Sequence, residues 1–123
     1  MSGQKDLERA FDYDREGFEA EAIPHYEQAI AAGLSGEQLE KAMLGLGSSL
    51  RNVDRIDESV AVLEDACRRF PDHQALPVFL AFSLWSAGRR GEALALLARK
   101  LGEGSGYERA VREYADAIER SKD

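Results

Sequence analysis

Few residues of this 123-residue chain are spaced for chemistry, and each has a plainer reading. A transition-metal site needs clustered His, Cys or carboxylate ligands. Here there is one cysteine, Cys67, and two separated histidines, His25 and His73. His25 adjoins Tyr26 in a helical pattern and His73 follows Asp72, a candidate helix N-cap, so both read as surface or cap residues. No Cys–His or Ser–His–Asp set can be assembled for nucleophilic catalysis. Cys67 stands beside Ala66 on the inward stripe of its helix and is expected to be an inert core thiol. Gly45-Leu46-Gly47 lies inside an amphipathic helix and follows no strand, so it is not a dinucleotide loop; a glycine there admits a neighbouring helix. Gly102–Gly106 lacks the Lys-Ser/Thr pair of a phosphate-binding loop and reads as a connector. Carboxylate pairs such as Asp12/Glu16 and Asp54/Glu58 are ordinary for exposed helix faces. The expectation is a chain with no catalytic residue, no metal and no cofactor.

The elements that would position any site are helices. Apolar residues three and four apart share a helix face, and that spacing predicts helices near 4–15, 19–32, 57–69, 90–100 and 107–121. Gly33 is a natural left-handed C-cap for the second. Ser35-Gly36-Glu37-Gln38 reads as a capping box opening a third, which carries Leu39, Met43, Leu46 and Leu50 on one stripe. Pro71-Asp72 ends the fourth and starts the fifth, with Asp72 as N-cap; the fifth runs to Ala87. The last helix is predicted to turn Tyr107, Val111, Tyr114 and Ile118 to one face. No strand signal competes, so the class is all-α.

Three blocks of this pattern repeat. Ala10, Tyr13, Gly17, Ala22, Tyr26 and Ala29 recur as Gly47, Leu50, Asp54, Ser59, Leu63 and Ala66, a constant offset of 37. Ala81, Leu84, Gly88, Ala93 and Leu97 follow at an offset of 34. The small residues let two helix backbones approach, the large ones fill the space beside them, and Gly or Asp breaks the chain between them. Each block is therefore an antiparallel helix pair. The arrangement resembles the tetratricopeptide repeat, with Leu46-Gly47 as its Leu-Gly pair, Leu50 at the tyrosine position, and Ala66 and Pro71 closing the repeat. It departs at Asp6, Met43 and Pro77, where the family has an aromatic, and at Leu34 and Ser105, where it has proline.

The resemblance implies a right-handed α-solenoid: one domain over 1–123, repeats at about 4–34, 37–71 and 74–101, and a C-terminal capping helix at about 107–121. It also implies that the first helix of each pair lines a concave, peptide-binding face. The residues expected on that groove are Leu7, Phe11, Leu44, Ser48, Arg51, Phe79, Phe82 and Trp85, with Phe11 and Phe82 as exposed anchors. The fifth helix is apolar nearly all round, so it is either buried or presents an apolar surface. A subset of the family grips acidic chaperone termini with a clamp of Lys, Arg and Asn. The matching places here hold Leu7, Phe11, Gly45, Ala75 and Phe79, so that mode is not expected.

Charge narrows the partners. The net charge is −7, and the first 40 residues hold 3 Lys/Arg against 10 Asp/Glu, so nucleic acid is not an expected partner. No apolar run approaches the ~20 residues that span a bilayer, and the charged N-terminus argues against a signal peptide. A lone cysteine fits a reducing, cytoplasmic setting. The leading expectation is a non-catalytic adaptor that holds an apolar or mixed segment of another polypeptide. The alternative is a homodimer that buries the apolar groove or the end helix.

Overall fold

A computed structural model describes residues 2–121; residues 1, 122 and 123 of the expected domain lie outside the described residues. Seven helices make up the described chain: α1 (Ser2–Arg15), α2 (Glu19–Ala31), α3 (Gly36–Asn52), α4 (Ile56–Arg69), α5 (Ala75–Ser86), α6 (Arg90–Gly102) and α7 (Glu108–Arg120). They form three antiparallel pairs, α1–α2, α3–α4 and α5–α6, followed by α7. The repeat is plainest in the turn inside each pair. Gly17, Asp54 and Gly88 take positive φ of 82°, 66° and 79°. The next residue's amide then donates back to the first helix: Phe18 to Tyr13, Arg55 to Leu50, and Arg89 to Leu84, at 2.8, 2.8 and 2.9 Å. This is the left-handed closure that glycine makes at least strain, and only the middle repeat makes it with a side chain.

The seam positions are buried as their sizes require. Ala10, Ala22, Ala29, Ala66 and Ala93 are inside, with Tyr26 and Leu63 filling the space beside them. A Cβ on Gly47 would lie 2.5 Å from the Leu63 side chain, so this glycine is a packing requirement of the second pair. Where the other pairs have Ala22 and Ala93, the middle one has buried Ser59. Its hydroxyl donates to the Gly47 carbonyl at 2.7 Å and lies 2.7 Å from the Ser83 hydroxyl, joining α4 to α3 and α5.

Stacking follows one rule twice. Helix α3 packs on both α1 and α2, and α5 packs on both α3 and α4. Helix α7 breaks the rule and packs on α6 alone. A Cβ on Gly102 would stand 2.9 Å from Val111, so the glycine admits α7 closely on that side. Arg99 holds Asp116 at 2.7 Å and also pairs with Glu119.

Three local expectations are corrected. Ser35 makes no side-chain cap bond, because Gly36 enters the helix at a φ of +57°. Asp72 does not cap α5. His73 does so instead, its Nδ1 accepting the amides of Ala75 and Leu76 at 3.2 Å each. On α7 the buried residue is Ala115, with Val111 and Ile118 half-buried, while Tyr107 and Tyr114 are 74% and 73% exposed. Asp116 and Glu119, paired with Arg99, lie on the other side of Ala115 from the two tyrosines.

Candidate functional site

The first helices α1, α3 and α5 pack side by side, and one depression across them has a volume of about 480 Å³. Its floor is built by an unusual pairing. Tyr26, from α2, is buried and runs up between α1 and α3, and a Cβ at Gly45 would lie 2.4 Å from its ring. Gly45 is thus what allows the tyrosine to pass, and the two residues together line the hollow. The Tyr26 hydroxyl donates to Asp14 at 2.6 Å. Burial first, and then the Asp14 carboxylate, push its pKa well above the ordinary tyrosine value, so the phenol stays protonated.

Phe11, Leu44 and Phe79 form the walls, and Asp14, Arg15, Lys41 and Ser48 the rim. Phe11 meets Tyr26 edge-on with ring centroids 6.0 Å apart, which holds the wall against the floor. Beyond Phe79 the face continues along α5. Phe79 and Phe82 are edge-to-face at 6.2 Å, and Phe82 is 48% exposed. The Arg51 guanidinium lies 5.8 Å from the Phe82 ring centroid and donates through Nε to Ser86 at 3.2 Å. Arg90 covers Trp85 at 4.6 Å. Both cations are thus held over aromatic rings.

Of the eight residues expected on the groove, Phe11, Leu44, Ser48 and Phe79 line the hollow. Phe82 and Arg51 continue from Phe79, and Trp85, one turn further along α5, is exposed under Arg90. Leu7 does not belong to the surface: it is 4% exposed and packs in the core cluster with Tyr26 and Leu46, beneath the groove. Phe11 is half-buried, so Phe82 is the freer of the two expected anchors. Gly45 stands at one of the clamp places of the family; Asp14, Arg15, Tyr26 and Lys41 lie outside the expected set. The signal for one of them was present: a glycine inside a helix marks a close approach, and here the approaching group is a tyrosine side chain.

Elsewhere, chemistry-bearing groups are quiet. Burial pushes the half-buried Cys67 thiol up, away from the reactive thiolate. His25 stacks on Tyr13 at 5.5 Å, with Nδ1 3.7 Å from Asp6. No group of three or more potential metal ligands occurs among the described residues, and no described helix is long and apolar enough to cross a membrane.

Comparison with known proteins agrees with this geometry. A family model described as Tetratrico peptide repeat matches residues 3–118. No curated protein matches the chain.

Proposed function

The chain belongs to the tetratricopeptide-repeat family, and from that premise we propose that it is a non-catalytic adaptor whose concave face holds a segment of another polypeptide. The observation that carries this reading is the hollow over Gly45. Its volume of about 480 Å³ is that of a small-ligand pocket, open enough for one large apolar side chain. Full burial of a Leu or Phe side chain there contributes roughly 1.5–3 kcal/mol. The remaining length of the segment would run along Phe82 and Trp85, beside Lys41, Arg15 and Arg51. Asp14 is engaged by Tyr26, so the rim favours a segment whose apolar anchor is flanked by neutral or acidic residues. The setting we infer is the cytoplasm.

A displayed peptide library tests this. Phe11→Ala and Phe82→Ala should each weaken a selected peptide about tenfold, the loss typical of an interface anchor. Unchanged affinity in folded variants would sink the groove assignment. A second reading, homodimerisation, is favoured by a separate observation: of the nine exposed large apolar side chains among the described residues, seven lie on α5, α6 and α7 or at the start of α7. Sedimentation over a concentration series tests it.

A further inference from the structure

The repeat supplies an internal ruler for the C-terminal end. Ile23 on α2, Val60 on α4 and Leu94 on α6 occupy one register, 37 and then 34 residues apart. Ile23 is 2% exposed in the core with α3, and Val60 is 4% exposed in the core with α5. Leu94 is 56% exposed, because α7 does not take the equivalent seat. Leu101, in register with the half-buried Ile30 and Cys67, is 84% exposed. The third seat is open.

Helix α7 carries the complementary element. Asp116 and Glu119 sit over Arg99 on one edge of α6, which puts Tyr107 and Tyr114 on the other edge, the one that Leu94 and Leu101 share. Tyr107, Leu101, Leu94 and Tyr114 together expose on the order of 570 Å², taking roughly 200 Å² for a whole large side chain. That is at the top of the range for the largest patch of a typical monomer, about 300–600 Å². It is close to half of the ~1,200 Å² total at the low end of stable interfaces.

The strip is also self-complementary. Tyr107, Ala110, Tyr114 and Ala117 are all exposed and alternate large and small. When two such helices run antiparallel about a two-fold at position 112, each Tyr107 faces Ala117 of the other copy, and each Tyr114 faces Ala110. We propose that a second copy of the chain fills the open seat with its own α7, in a two-fold contact with this register, the tyrosine rings passing over the alanines toward Leu94 and Leu101. An isologous contact of this kind closes at two copies. This rests on the homodimer reading and adds its surface and register; it leaves the concave groove free.

Sedimentation velocity on the whole chain is the test, with Tyr114→Glu as the variant. The wild type should dimerise, and the exposed substitution should weaken the dimer at least about tenfold while leaving the helical melt in place, because a carboxylate is driven into an apolar contact. Register is read in a Cys67→Ser background. A mixture of the Tyr107→Cys and Ala117→Cys variants should form a disulfide-linked dimer that neither forms alone. A wild type that stays monomeric, even one that accepts a foreign helix or a lipid surface at this seat, overturns the proposal and the homodimer reading together. A dimer indifferent to Tyr114→Glu, or one whose single-cysteine variants cross-link with themselves, overturns the proposal alone.

Discussion

The seat that α3 occupies and the seat beside α7 are built from the same repeat, yet one is closed and the other open. At the first, Ile23 meets α3 and is buried; at the last, Leu94 has the same place in the sequence pattern and faces solvent. Burial in a helical repeat is therefore a property of the following helix as much as of the residue itself. Each pair is completed by its neighbour, and the final pair is completed only on the α6 side.

The most forceful way to break this comparison is to truncate both residues. Ile23→Ala should destabilise the fold by roughly 2–5 kcal/mol, the range for emptying a core site. In chain dilute enough to be monomeric, Leu94→Ala should stay within about 0.5 kcal/mol, as for an ordinary surface change. Equal losses in denaturant titrations of the dilute monomer would break the comparison. Glycine substitutions sharpen the same contrast. Gly47→Ala forces a Cβ to within 2.5 Å of fully buried Leu63, with an expected loss of about 1–3 kcal/mol. Gly102→Ala meets half-buried Val111 at 2.9 Å and should loosen only α7, which amide exchange would show as faster opening confined to that helix.

Smaller effects separate the groove floor from the pair turns. Tyr26→Phe removes the bond to Asp14, for about 1 kcal/mol at neutral pH. The folded-state pKa of Tyr26 lies above the ordinary tyrosine value of 10.0, so the unfolded chain releases that proton first. Its contribution is fully present below pH 10 and declines as the pH rises above that value. Alkaline melts of Tyr26→Phe should lose this component of the decline. Least of all, Asp54→Gly restores the residue that the other two turns use at positive φ and should stabilise by about 0.5–1 kcal/mol in thermal melts.

Much of the architecture was legible in the residues. Small and large side chains at fixed offsets, with Gly17, Asp54 and Gly88 at the breaks, were enough to place the pairs and the helix ends closely. That pattern records contacts inside a pair and between regular neighbours. It does not record departures from regular stacking. Tyr107 and Tyr114 share a helical stripe with Val111 and Ile118, but the buried face centres on Ala115, and no periodicity signals that. Leu7 was read as groove because its position in the repeat faces the concavity; its neighbours Tyr26 and Leu46 draw it under the surface. The hollow itself arises from Gly45 and Tyr26, which lie 19 residues apart and meet only once the helices stack.

The central claim, that the concave face is where another polypeptide is held, is met most directly by amide chemical-shift mapping. The labelled chain would be titrated with a peptide selected from the library. Shifts should concentrate at Phe11, Leu44, Gly45, Ser48, Phe79 and Phe82. Shifts confined to the outer faces of α2, α4 and α6 would contradict it.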